Sequence, residues 1–351
     1  MQTTVTKAVG SLDSNQPLAA MSIERRQIMA HDVEIEITYC GICHTDLHML
    51  RNEWGGTKYR IVPGHEIIGR ISQIGEHVTK FKVGDLAGIG CLVDSCRDCD
   101  YCKKDLEQFC ENGNTIVYGS EDKFIGGHTF GGFSQRIVAD EKYVLKIPDS
   151  LDPASAAPLL CAGITAYSPL KHWNANREKK VGVVGIGGLG HLTIKIAKAL
   201  GAHVTVFTTT QSKAIDAKRL GADQVVLSSD DNQISQSLKL DIIIDTVSAK
   251  HDINTFLNLL AVDGALVMVG LPAEELPVSA FNIVHGRKSL AGSNIGGIAE
   301  TQEMLNFCAE NNITADIEMI TIQEVNEAFQ RLEKGDVKYR FVIDMASINN
   351  N

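Results

Sequence analysis

Four cysteines, Cys96, Cys99, Cys102 and Cys110, fall within fifteen residues at a C-x2-C-x2-C-x7-C spacing. Four thiolates brought together by so short a stretch complete a tetrahedral zinc shell with no open position, and a closed shell is structural. Iron–sulfur ligation is the competing chemistry, because ferredoxins also use CxxCxxC. Their last cysteine is normally followed by proline, whereas Cys110 is followed by Glu111. Zinc is therefore expected here. A catalytic metal needs fewer protein ligands, and the candidates are Cys43 in CGICHTDLH, His65 in GHEIIG and Cys161 in PLLCAGITAY. Two thiolates and one imidazole neutralise Zn2+ and leave a fourth position for water or a substrate oxygen. Two alternatives stand beside this one: buried cysteines often serve as small hydrophobes, and Cys40-x2-Cys43 has the spacing of a redox pair.

A second chemical signal lies at residues 185–190, GIGGLG, which follow the apolar run of residues 181–184 and open a stretch where Leu192, Ile196 and Leu200 repeat at four-residue spacing. This is the dinucleotide fingerprint between a strand and a helix. Gly185 permits a tight turn, Gly187 lets backbone approach a pyrophosphate, and Gly190 lets the helix pack closely on the strand. The N–H groups around Gly188 and Leu189 are left facing the phosphates. An NAD site usually carries Asp or Glu at the end of the second strand, but HVTVF is followed by Thr208, Thr209, Thr210, Gln211, Ser212 and Lys213. Hydroxyls and a lysine suit a 2′-phosphate that an acid would repel, so Thr208, Thr209 and Lys213 predict NADP. Capping of the next helix is the alternative role for these threonines.

These residues need a scaffold. Residues 33–90 alternate short apolar runs with glycines, the pattern of strands and turns, and GGFSQRIVADEKYVLKIP resumes it before Asp152 and Pro153 open an Ala-rich, helix-favouring stretch. From Lys180 the rhythm becomes strand, helix, strand, helix, strand, which predicts a parallel sheet covered on both faces. After Asn294 the sequence leaves that rhythm for two helices and a closing strand, YRFVIDM. The expected division is a catalytic domain of residues 1–155 and 295–351, carrying a zinc lobe near 91–113, and a dinucleotide-binding domain of residues 156–294. The fold class is thus α/β, a Rossmann doubly wound parallel sheet joined to a mostly β domain.

Composition narrows the partners. A formal net charge of −10 over 351 residues would be repelled by nucleic acid and by an anionic membrane surface, which leaves small molecules. No apolar run approaches the ~20 residues of a membrane helix, and MQTTVTKAVG lacks the form of a signal peptide, so a cytoplasmic protein is expected. Nine cysteines, an odd number, fit reduced thiols better than a disulfide framework.

CGICHTD, GHEIIG, the four-cysteine lobe, LLCAGIT, GIGGLG and YRFVID run in the order found in zinc-containing medium-chain alcohol dehydrogenases. Over nearly its whole length the chain most resembles their cinnamyl alcohol dehydrogenase-type subgroup. The resemblance implies that the β domain is GroES-like and that Cys43, His65 and Cys161 hold catalytic zinc, with Glu66 close behind the metal and Asp46 orienting the His65 ring. Thr45 and His48 match the family's proton relay, which runs through the nicotinamide ribose hydroxyl. His44 and Arg340 match positions that approach cofactor phosphates. Trp54, Leu92 and Ile298 are candidates for the substrate pocket, with plain core packing as the alternative; Cys40, Cys91 and Cys308 match no ligand position. The implied reaction moves hydride between NADP(H) and a primary alcohol or aldehyde, aromatic or medium-chain aliphatic, on two zinc ions per chain in a homodimer. The rivals are an NAD-dependent polyol dehydrogenase, which would carry the missing acid, and a zinc-stabilised redox sensor, which would need no open zinc site.

Overall fold

The apolar alternation that begins at residue 33 forms the strand Asp32–Gly41, around which the first half of the computed structural model is organised. Residues 2–272 and 274–350 are described. Asp32–Gly41 pairs antiparallel with Ile67–Ile74 on one side and with Arg340–Asp344 on the other, and Arg136–Asp140 also pairs with it. Ile317–Thr321, Leu86–Ile89 and Leu145–Lys146 complete a seven-stranded sheet. Two register shifts interrupt the ladder between Asp32–Gly41 and Ile67–Ile74. Such bulges bend and twist a strand, so this sheet curls around its own core. That core includes Val33, Ile35, Ile67, Ile71, Phe133 and Phe341, all at most 1 % exposed.

The chain divides into two units, residues 1–161 with 296–351, and residues 162–295. The division falls after Cys161 and not at 155. The short helix Pro153–Ala156, capped where Asp152 accepts from Ser155 N, and the single turn Ala157–Leu160 pack on the strands of the first sheet. They draw Cys161 into the first unit with them.

The second unit is a six-stranded, all-parallel sheet. Its order is Gln224–Leu227, His203–Thr208, Lys180–Val184, Leu240–Asp245, Leu260–Met268, Ser289–Gly292. Numbered from its first strand, the order is 3-2-1-4-5-6, the doubly wound Rossmann topology. Near-continuous apolar runs build it: Val181, Val183, Val204, Val206, Ile243, Ile244 and Leu266 have no exposed surface, as expected for strands covered on both faces. The second strand extends one residue beyond the expected end at Phe207, because Thr208 pairs with Leu227. Among the described residues, no helix is long and apolar enough to cross a membrane.

Candidate functional site

Strand pairing gathers the first constellation. Cys40 lies opposite Ile67, Gly41 N donates to Glu66 O at 3.0 Å, and Ile42 N donates to Phe341 O at 3.0 Å. Residues 43, 65–66 and 340 therefore meet at one end of three neighbouring strands, and the turn ending at Leu160 brings Cys161 to the same place. One donor atom each from Cys43, His65, Glu66 and Cys161 lie within 4.8 Å of one another.

Asp46 orients this group. Cys43 is the N-cap of the helix His44–Leu50, and its N–H donates to Asp46 Oδ2 at 2.9 Å in the capping-box manner. Asp46 Oδ1 accepts from His65 Nδ1 at 3.0 Å, Gly64 N at 3.0 Å and the Tyr118 hydroxyl at 2.8 Å. With Nδ1 donating, the lone pair of His65 falls on Nε2. That atom is buried and has no hydrogen-bond partner. An orphaned imidazole nitrogen among two thiols and a carboxylate is costly without a cation, so the donor set fits a bound Zn2+. Cys161, facing Cys43, pushes the Cys43 thiol well below its ordinary value, and Cys43 in turn pushes Cys161 up.

Within this group Glu66 forms a buried ion pair with Arg340. Burial raises the Glu66 carboxyl to about 7 against the pull of Arg340, and Glu66 Oε2 stays unpartnered. Arg340, expected near cofactor phosphates, is only 3 % exposed and is committed to Glu66. The reason is the register of its strand beside Asp32–Gly41.

Thr45 Oγ1 lies 3.7 Å from Cys43 Sγ. His48 Nδ1 bonds Glu53 Oε2 at 2.5 Å and its ring packs on Trp54 at 4.8 Å, while His44 is exposed with its ring 6.3 Å from that of His48. The other pocket candidates have different surroundings. Leu92 is buried in a two-stranded ladder opposite Ile116, and the Ile298 N–H donates to Glu107 Oε2 at 3.1 Å, beside the cysteine lobe. Tyr118, Glu53 and Cys91 were missed by sequence reasoning. The Cys161 thiol holds the buried Cys91 thiol below its ordinary value, although nothing in the spacing of Cys91 from Cys43 or His65 signals it. Cys40 and Cys308 are buried with no exposed surface.

The lobe cysteines form the second group. Cys96 Sγ and Cys102 Sγ are 3.9 Å apart, and Cys99 Sγ and Cys110 Sγ are 4.0 Å apart. Disulfides require about 2.05 Å. Zn–S bonds of about 2.3 Å put tetrahedral sulfurs roughly 3.8 Å apart, so the spacing fits a shared zinc. Cys96 N and Cys99 N donate to Cys110 Sγ and Cys96 Sγ at 3.4 and 3.3 Å, as suits thiolates.

In the second unit the glycine-rich turn has the expected shape. Gly185 has φ +89°, and a Cβ on Gly190 would lie 2.2 Å from Gly185 O, so helix and strand touch there. A Cβ on Gly187 would meet nothing within 4 Å, which leaves that backbone approachable. The helix Gly190–Ala199 starts immediately afterwards, with Leu189 as its N-cap. At the second strand's end Thr208 is buried, Thr209 exposed and Lys213 half-buried. Capping falls to Thr210, whose side chain accepts from Lys213 N at 3.4 Å.

A Rossmann sheet with an approachable glycine turn, together with a β unit holding two clusters of metal donors, defines a metal-using dinucleotide oxidoreductase. Comparison narrows the class. Residues 29–149 match the alcohol dehydrogenase GroES-like domain, and residues 188–310 match the zinc-binding dehydrogenase domain. The chain is 52% identical over 347 residues to the aldehyde reductase YahK of Escherichia coli (strain K12), covering 98% of this chain and 99% of that protein. Its fold matches a cinnamyl alcohol dehydrogenase of Sorghum bicolor with TM-score 0.94 at 44% identity, over 98% of both chains. It also matches a Helicobacter pylori protein described as CAD complexed with NADP(H), with TM-score 0.92 at 39% identity, over 98% of this chain and 99% of that one. The chain belongs to the zinc-binding, GroES-like family of medium-chain alcohol dehydrogenases.

Proposed function

We propose that this protein is a zinc-dependent, NADP(H)-using alcohol dehydrogenase that works mainly as an aldehyde reductase on aromatic and medium-chain aliphatic substrates. The observation that carries the reading is the buried, unpartnered Nε2 of His65 facing the thiols of Cys43 and Cys161, with Asp46 fixing the ring from behind. These three residues would hold the catalytic zinc, and Cys96, Cys99, Cys102 and Cys110 the structural one. When bound, zinc polarises the carbonyl and the reduced dinucleotide supplies hydride.

The chain's own residues handle binding and the proton. Glu66 sits within the donor group with Arg340 as its counter-ion. Thr45, beside Cys43, and His48 form the proton relay, and Glu53 holds Nδ1 of His48 so that Nε2 is left to exchange. Trp54, stacked on His48, is the pocket candidate best supported; Leu92 and Ile298 remain candidates through the resemblance alone, as does His44 for the cofactor phosphates. Gly185, Gly187, Gly188, Leu189 and Gly190 cradle the pyrophosphate. Thr209 and Lys213, with Thr208 at the strand's end, favour a 2′-phosphate and disfavour the NAD-dependent polyol reading. Residues 1–161 with 296–351 then act as the catalytic domain, and residues 162–295 as the dinucleotide domain.

None of the nine cysteines is joined in a disulfide, which supports a reducing, cytoplasmic location. A homodimer is supported by the outermost parallel strand, Ser289–Gly292, together with exposed Val262, Phe281 and Val284 in the same unit.

The test is aldehyde-dependent NADPH oxidation by wild type, His65→Ala and Lys213→Ala. We expect His65→Ala to lose turnover but keep dinucleotide binding, and Lys213→Ala to lose about one to two decades of NADPH-over-NADH preference in kcat/KM. Turnover retained by His65→Ala removes the zinc assignment, and an unchanged preference in Lys213→Ala removes the 2′-phosphate site.

A further inference from the structure

The strand order of the parallel sheet reverses between Lys180–Val184 and Leu240–Asp245, where Val184 pairs with Asp245. Ligands of open α/β sheets bind outside the carboxyl ends of the strands at such a point. The residues after Asp245 therefore border the dinucleotide turn. Thr246 Oγ1 donates to Val184 O at 2.8 Å. A Cβ on Gly185 would come within 2.9 Å of Val247 Cγ2 and 3.1 Å of Thr246 Oγ1, so residues 246–247 abut the glycine-rich turn.

His251 fastens this segment. Asp245 has no exposed surface; its Oδ1 accepts from Val247 N at 3.1 Å and its Oδ2 bonds His251 Nε2 at 2.6 Å. The other ring nitrogen, Nδ1, lies 2.8 Å from Ala249 O. A carboxylate and a carbonyl only accept, so a ring bonded to both must donate from both nitrogens, which only the imidazolium does. A neutral ring keeps one donor and turns a lone pair toward the other oxygen, and the segment loses one of its two ties.

The charges facing the ring are Asp245 from the strand and Asp252 from the N-cap of the helix Ile253–Leu259. Lys250 is engaged with Glu274 at 2.6 Å, and the Phe256 ring, 6.1 Å away, is neutral. The bond to Asp245 outweighs partial burial and raises the His251 pKa above the ordinary imidazole value.

We propose that protonated His251 is a positioning residue for the dinucleotide: it ties residues 246–251 back to Asp245, closes their turn on the Ala249 carbonyl, shapes the border of the glycine-rich turn, and makes dinucleotide affinity fall as the ring loses its proton. The inference rests on the NADP(H) reading above. Because the folded pKa is raised, the clamped form is fully populated below the ordinary imidazole value and is lost as pH climbs through the higher, folded one.

The experiment titrates NADPH fluorescence with full-length, zinc-loaded protein from about pH 6 to about pH 9, a range that brackets imidazole titration. Wild-type Kd should rise about tenfold across it, the size of one charge-assisted contact. His251→Gln should bind weakly at every pH and lose that step. Asp245→Asn should move the step to lower pH, because no carboxylate then retains the proton, and this variant decides the matter if His251→Gln does not fold. A His251→Gln profile parallel to wild type, with the step intact, overturns the proposal, as does an unmoved step in Asp245→Asn. A wild type that binds no NADPH at any pH overturns the cofactor reading instead.

Discussion

Replacing Asp46 by Asn should release the catalytic metal while sparing the structural one. Asp46 is fully buried and accepts four hydrogen bonds, one on Oδ2 from Cys43 N and three on Oδ1 from Gly64 N, His65 Nδ1 and Tyr118. An asparagine offers one acceptor where the carboxylate offers two. Its better orientation keeps the oxygen toward the three donors and sets its NH2 against Cys43 N–H, losing a bond to a charged acceptor of about 1.5 to 3 kcal/mol. A flipped amide is worse, since it faces three donors. Substitution of a residue that supports metal ligands from behind typically costs about 10- to 100-fold in metal affinity, or roughly 1.4 to 2.7 kcal/mol, the same size as the bond lost at Cys43 N. The assay is chelator competition followed by zinc counting, with the four-cysteine shell as internal control. Asp46→Asn should give up one zinc at about 10- to 100-fold lower chelator concentration than wild type. Tyr118→Phe, which removes one of the three donors to Oδ1, should shift release in the same direction by less than about tenfold. If both zinc ions leave Asp46→Asn at wild-type chelator concentrations, or the lobe zinc leaves first, the orientation argument is refuted.

Two further outcomes can be checked on purified protein. Cys102→Ser breaks the lobe shell, in which Cys102 Sγ lies 3.9 Å from Cys96 Sγ and 3.1 Å from Ser95 Oγ. A loss of about 3 kcal/mol would lower Tm by roughly 6 to 12 °C, and an unchanged melting curve would contradict the structural role. Gly190→Ala and Gly187→Ala should part company: the first forces a Cβ to 2.2 Å from Gly185 O and lowers Tm, whereas the second meets no protein atom within 4 Å and should melt normally. Gly187→Ala should weaken NADPH binding about tenfold by standing where the pyrophosphate approaches, and normal binding would exclude that approach.

Features local along the chain were legible before any fold was known. The four lobe cysteines fall within fifteen residues, so their spacing alone restricts them to one metal shell. GIGGLG between an apolar strand and a periodic helix, and the strand–helix rhythm after it, fixed a parallel sheet with a phosphate turn, because period and turn chemistry are properties of consecutive residues. Residue chemistry marked Cys43, His65 and Cys161 only as candidates beside other readings, and the resemblance decided between them, since they come from three separate stretches. Neighbours in space were set by the fold. The pairing of Asp32–Gly41 with both Ile67–Ile74 and Arg340–Asp344 turned Arg340 inward to Glu66. It was also through-space packing that set Tyr118 on Asp46, Glu53 on His48, Cys91 near Cys161 and His251 on Asp245. The physical reason is that side-chain periodicity encodes which face of an element is buried, whereas the identity of the partner across that face is set by strand order and register.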